Sequence, residues 1–481
     1  MKTANNDFTR LNSVLTIFVV AIFTWLVVVP LMQDGMFSDG IGYAAVSRNL
    51  AQGTGTWWEP EFSQTFFNHF HQQPPLMLWL QSFFFRITGE SIYPERIYCL
   101  LEGIIMLCLI GYSWKKLNPD PDIKHMTWLP QLLWLMVPII SWGLKNNLTE
   151  NTMVIFDWLA VLFMIQFMEK KNEALNFLLA SIFLFGASFT KGIQGLFPIA
   201  VPACYYLCLH KISFRKMLII TVSFGVTIAT FYLFLFQIPG ALESFKEYAR
   251  DRLAGFPKTP TAATSNRLWL LSRIGIEVSV PLAFSLIVVV VTSGKNFLKN
   301  LNVKENHNAI FFICVGLTAS IPLLISFEQR GFYLITSMPF FVMGIAIMVA
   351  SSFKRGAESW SVRLNRYFLI RTMSILFLLS GIVFTFMKAG KIKRDQDTLT
   401  DVYRLRQEVG RNGIVGTSAL TASQWSLQAY CARYANISLA EGCDTCRFYL
   451  QLKNEEVLNP SGYRKMNLET RFVDVYEKLK P

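Results

Sequence analysis

The chain has 481 residues, of which 52% are hydrophobic, 14% aromatic and only 16% charged, and its mean hydropathy is +0.36. Soluble globular domains carry roughly 25% charged residues, so the composition excludes an ordinary soluble protein and indicates an integral membrane one. The net charge of +13 does not point to nucleic acid, because the lysines and arginines gather in short loops between apolar runs, a distribution set by membrane topology.

The first apolar run, 11–33, has no charged side chain and is long enough to cross about 30 Å of hydrocarbon. It is too long for the apolar core of a signal peptide and no A-x-A pattern follows it, so it reads as an uncleaved first span. Further spans are expected at 95–114, 127–143, 150–168, 174–190, 193–210, 216–238, 272–293, 309–325, 332–351 and 368–387, about eleven in all. The loops holding Lys115, Lys116 and Lys124, Lys170 and Lys171, Lys211, Arg215 and Lys216 fall on one side. So do those holding Lys295, Lys299 and Lys304, and Lys354, Arg355, Arg363 and Arg366. The positive-inside rule makes that side cytoplasmic.

With the N-terminus inside and an odd number of spans, residues 388–481 lie outside as a small C-terminal α/β domain. Residues 1–387 then form a transmembrane domain whose first outer loop is 34–94. Within that loop, 61–89 is apolar but interrupted by proline and charge, which suits helices lying in the membrane interface. The outer segment 239–273 breaks the charge rule with Lys246, Arg250, Arg252, Lys258, Arg267 and Arg273, a cluster suited to an anionic head group. Cys431, Cys443 and Cys446 fall in the exported tail. Of these, "CDTC" (443–446) reads as a structural disulfide, since two cysteines without a tail histidine cannot complete a zinc site.

Three acidic residues, Asp39, Glu102 and Glu150, lie near outer helix ends without an obvious neighbour, and Asp157 follows Glu150 by seven residues on the same helix face. A carboxylate at mid-membrane costs about 2.5–3.5 kcal/mol, so it faces water or a partner. For Asp39 and Glu150 the bland alternative is a solvated helix end; for Glu102 and Asp157 it is burial against a polar partner. "SFTKGIQG" places Lys191 in an outer turn, and "FEQRGFYLITSMPFF" places Arg330 and Tyr333 on the outer rim. Snorkelling is the alternative for Lys191. Outward cations beside carboxylates otherwise describe a site for an anionic amphiphile with a general base.

Six segments occur in one order: "FSDGIGYAAVSRNLAQG" with Asp39, Tyr43 and Arg48; "HQQPPLMLWL"; "PERIYCLLEG" with Arg96; "TENTMVIFDWLAVL" with Glu150; "TKG" with Lys191; and "RGFYLITSMPFF". Over roughly residues 10–350 the series resembles the GT-C glycosyltransferases that use polyprenyl-phosphate sugars, in particular the protein mannosyltransferase and lipid A aminoarabinose transferase (ArnT) group. The resemblance implies an extracytoplasmic catalytic pocket, Asp39 as the acidic residue of the first outer loop and Glu150 as the second. It implies inverting single displacement without a covalent intermediate. Lys191, Arg250, Arg252, Arg330 and Tyr333 would hold the donor phosphate, and Tyr43, Arg48, His69, His71 and Arg96 would line the substrate loop. Where relatives have Glu-Lys or His before Pro-Pro, this chain has Gln72 and Gln73.

The partners expected are a polyprenyl-phosphate sugar donor, an acceptor that is a lipid, a glycan or a protein, and membrane lipids. No cofactor is implied with certainty, and a divalent metal is left open. The bacterial relatives and the lack of an ER-retention signal make a bacterial inner membrane the expected location. A secondary transporter of an anionic or amphiphilic solute is the alternative, but it would show repeat symmetry and broken helices near the midplane. The suspect residues here cluster at one face.

Overall fold

The computed structural model describes residues 2–251, 268–293, 306–325, 329–361, 364–455 and 462–479. The chain folds as an α-helical membrane bundle with a small C-terminal sheet domain packed on one of its ends. The first helix, Lys2–Phe23, passes through a π turn at Thr24–Val28 and ends at Leu31. The π turn lies just before Pro30, whose missing N–H and bulky ring disturb the regular ladder four residues back.

Among the described residues, nine helical stretches are long and apolar enough to cross a membrane, rather than about eleven. The difference arises at two places. The expected span at 127–143 is two short helices, Trp128–Leu135 and Pro138–Leu144, broken where Pro138 cannot donate; the freed N–H of Ile139 is capped by Glu277 Oε2 at 2.8 Å. The expected pair at 174–190 and 193–210 is one continuous apolar stretch, Glu173–Leu209. It changes from α-helix to 3-10 helix at Gly192 (φ +67°), and Gly195 then lies against the backbone of Ala187, so the chain doubles back there.

The Thr149–Met168 helix and the two short helices run through the middle of the bundle, surrounded by Pro94–Leu117, Met338–Ser361 and Glu173–Lys191. By contrast, the helices Phe214–Leu235, Trp269–Ser293 and Leu364–Lys388 expose large apolar side chains such as Leu233, Phe234, Val291, Phe368 and Phe386. Such surfaces are costly in water and at home in hydrocarbon.

The C-terminal domain has a five-stranded sheet in the order β2-β1-β3-β5-β4, built from β1 (Ile414–Thr417), β2 (Ser438–Glu441), β3 (Phe448–Leu452), β4 (Tyr463–Lys465) and β5 (Val473–Lys478). β1 pairs in parallel with β2 and β3, and β5 pairs antiparallel with β3 and β4. Val415, Leu450 and Val475 of the sheet share one apolar cluster with Met36 and Ile41. The first loop thus completes the core of a domain more than 350 residues further along, which holds the domain to this end of the bundle.

Candidate active site

A cavity of about 780 Å³ opens between the bundle and the C-terminal domain. Its floor is the start of the Ser38–Gln52 helix, with Asp39 in the first turn, where the helix dipole favours negative charge. The spacing of "DGIG" has a steric cause. A Cβ on Gly40 would fall 2.0 Å from the carbonyl oxygen of Asn146, and one on Gly42 would fall 2.9 Å from the ring of Trp425. Phe37 N donates to Asn146 Oδ1 (3.0 Å) and Asn147 Nδ2 to Gly40 O (2.7 Å), locking this turn to the loop that precedes Glu150. Asp39 is half-buried, and its Oδ1 accepts from Trp425 Nε1 at 2.9 Å.

The cations of the lining come from other elements. Lys191, at the end of its helix, is ion-paired to Glu150, which also accepts from Thr149 Oγ1 at 3.2 Å. Its ammonium lies 4.7 Å from the Tyr333 ring centre and 5.7 Å from that of Phe332, close enough for cation–π attraction. Lys191, Arg330, Tyr333, Phe332 and Tyr43 all border the cavity, as do Gln72 and Gln73. The third wall belongs to the C-terminal domain and includes Ser423, Trp425, Gln428 and Glu441. The cavity therefore offers a carboxylate and two cations, with amides and aromatic rings around them.

Several expected residues lie elsewhere. Glu150 is 1% exposed and does not border the cavity; it holds Lys191 from behind. Arg48 is a correction: it is buried and gives its donors to the carbonyls of Ala432 and Arg433 (both 2.8 Å) and to the amide oxygens of Asn49 and Asn436 (both 2.6 Å). Arg96 is a second correction, since it is buried against Asp34 and Glu95 (3.0 Å each), Gln33 O and the Tyr434 hydroxyl. Both tie the first loop to the C-terminal domain because that seam is rich in backbone and carboxylate acceptors.

The histidines are corrected too. His69 is exposed beside Glu59, and His71 packs under it, with Nδ1 3.3 Å from Ser244 Oγ. Burial, and then His69, push the His71 pKa down. Neither ring borders the cavity. Arg250 is 72% exposed and pairs with Glu247 one turn back (2.7 Å), away from the cavity lining, and Arg252 lies outside the described residues. Cys443 and Cys446 are disulfide-bonded. Glu102 accepts from Thr152 inside the bundle, whereas both oxygens of the buried Asp157 lack a partner among the described residues. No group of three or more His, Cys, Asp or Glu among the described residues is placed to hold a metal ion.

The third wall has no counterpart among the residues the sequence singles out. Trp425, Gln428 and Glu441 sit in a polar tail whose pairing with the first loop has no local signature; a lone tryptophan in "ASQWSLQAY" was the one available hint.

Residues 72–236 match the family described as dolichyl-phosphate-mannose-protein mannosyltransferase. The whole chain resembles the crystal structure of ArnT from Cupriavidus metallidurans in the apo state, with a TM-score of 0.61, 12% identity, and 96% of this chain and 97% of that chain covered. ArnT from the same organism bound to undecaprenyl phosphate matches with a TM-score of 0.61 at 13% identity and the same coverage. No curated protein sequence matches the chain significantly. At such identity the likeness is one of fold, and the cavity described above supplies the chemistry.

Proposed function

We propose that this chain, a polytopic glycosyltransferase of the GT-C fold, moves a sugar from a polyprenyl-phosphate donor to an acceptor at the cavity between bundle and C-terminal domain. One observation carries the reading: Asp39, Lys191, Arg330 and Tyr333, which come from three distant stretches of sequence, border the same cavity. The donor's phosphate would meet Lys191 and Arg330, a point charge and a planar fork suited to sharing one phosphate group. Asp39 takes the proton from an acceptor hydroxyl or amine. The acceptor atom forms its bond to the anomeric carbon from the face opposite the phosphate. The anomeric carbon–oxygen bond breaks with its electron pair going to the phosphate, whose charge rises by one, and the configuration inverts. Fixed cations aimed at that growing charge lower the barrier. Glu150 is a positioning residue in this scheme, through its ion pair with Lys191.

Trp425 Nε1, by donating to Asp39 Oδ1, leaves the second carboxylate oxygen as the acceptor of the transferred proton. We test the reading with radiolabelled sugar transfer from a polyprenyl-phosphate donor by purified protein. Asp39→Asn should lower turnover by roughly 10²–10⁴-fold with thermal stability near wild type. Wild-type turnover in that variant would remove Asp39 from the mechanism.

The lysine and arginine distribution supports a cytoplasmic N-terminus and a periplasmic C-terminal domain in a bacterial inner membrane. An alkaline phosphatase fused after the C-terminal domain should be active; an inactive fusion together with an active cytoplasmic reporter would reverse the orientation. Lipid, glycan and protein all remain candidate acceptors.

A further inference from the structure

A second cavity, of about 440 Å³, lies on the far side of a thin wall from the first. The wall consists of the loop at 63–67 and strand β2, joined by Gln64 N donating to Ser438 Oγ (3.1 Å) and Thr65 Oγ1 donating to Leu439 O (2.7 Å). Ser63, Gln64 and Ser438 face the second cavity, whereas Thr65, Phe66, Leu439 and Glu441 face the first. Both cavities also share the Ser38–Gln52 helix, with Asp39 at one end and Asn49 and Gln52 towards the other. Ten residues of helix separate Asp39 from Asn49, about 15 Å of axial rise.

The chemistry of the lining is narrow. Its side chains are mostly neutral amides and hydroxyls, among them Asn49, Gln52, Thr54, Gln64 and Asn412. The charged groups balance: Arg48 and Arg411 against Glu61 and Glu90, with Arg411 paired to Glu90 at 2.6 Å. An anion finds no excess positive charge there, because the terminal nitrogens of Arg48 are already engaged by protein oxygens. A lipid chain finds little apolar surface. Arg48 lines this cavity, and its buried Nε has no hydrogen-bond partner among the described residues, which keeps polar character at the wall.

We infer that the second cavity is a subsite for an uncharged saccharide, one that holds the remote sugars of a glycan-bearing acceptor while its reacting group lies beside Asp39. Many weak donors and acceptors in fixed positions suit a ligand whose surface is hydroxyls. The role as acceptor subsite rests on the transfer reading above; the binding itself does not.

The test uses the purified full chain in a detergent without a sugar head group, with maltotriose, mannotriose and chitotriose as probes in saturation-transfer NMR. At least one probe should bind. Its binding should weaken at least tenfold in Gln64→Trp and in Thr54→Trp, which fill the cavity from exposed positions, and about threefold in the gentler Gln64→Ala. Binding should persist in Asp39→Asn and in the presence of inorganic phosphate. Absence of binding by all three probes, binding undiminished in all three cavity variants, or loss in Asp39→Asn would overturn the proposal. Displacement by phosphate would overturn the uncharged ligand class. Because the readout is binding and not turnover, its failure leaves the transfer assay on Asp39→Asn to stand or fall separately.

Discussion

The seam between the first loop and the C-terminal domain holds the same kinds of side chain as the rim of the first cavity, and uses them differently. In the seam, Arg48 and Arg96 are enclosed by carbonyls, amide oxygens and carboxylates, so nearly every donor has a fixed protein acceptor. At the rim, Lys191 pairs with the Glu150 carboxylate, lies against two aromatic faces, and borders the cavity together with Arg330. A cation saturated by rigid acceptors is a tie. A cation set on aromatic faces at the edge of a cavity keeps a field that an incoming anion feels, since aromatic contact is weaker than a full shell of hydrogen bonds. The environment, rather than the residue type, separates anchoring from binding.

The largest expected effect breaks the tie. Arg96→Ala removes the ion-pair partner of Asp34 and one of the two arginines paired with Glu95, both carboxylates being buried. Loss of one member of such a buried pair costs about 3–5 kcal/mol, and Tyr403 and Tyr434, which also hydrogen-bond Asp34, offset part of it. Denaturant unfolding should register the loss together with early detachment of the C-terminal domain. An unchanged midpoint would make Arg96 a surplus contact and weaken the contrast with the rim.

Next comes the rim itself. Lys191→Ala should lower kcat and kcat/KM together by roughly 10²-fold if its charge acts on the leaving phosphate. A raised donor KM with unchanged kcat would make it a holding group only. Because Lys191→Ala also strands Glu150, the double variant Lys191→Met with Glu150→Gln sharpens the result: it should regain stability over the single variant and keep the single variant's low turnover. Recovery of turnover in the double variant would return Lys191 to the class of ties.

The smallest effect concerns the contact that links the two regions. A Cβ at Gly42 would press within 2.9 Å of Trp425 and displace its Nε1 from Asp39. A hydrogen bond to a charged group contributes about 1.5 kcal/mol or more, so Gly42→Ala should cost roughly tenfold in kcat/KM. Tryptophan fluorescence should shift with it. Full activity would mean that Trp425 only roofs the cavity.

The membrane class, most of the spans, a small α/β tail and the candidate pair Asp39 and Lys191 are legible in the amino-acid sequence alone. Each is written in local pattern: long apolar runs, charged loops between them, and isolated polar residues at helix ends. The sequence did not determine the break at Pro138, because helix continuity there depends on whether a neighbour such as Glu277 satisfies the freed backbone, whereas the doubling back at Gly192 falls where the outer turn holding Lys191 is expected. Nor did it separate Arg48 and Arg96 from Arg330, since all three read as lone outer-face arginines. Only the tertiary structure brought the carbonyls of Ala432 and Arg433 to Arg48, and Trp425 to Asp39, across nearly 390 residues of chain. Hydrogen-bond saturation and cavity exposure are properties of packing, and packing between distant segments leaves no periodicity for a single sequence to display.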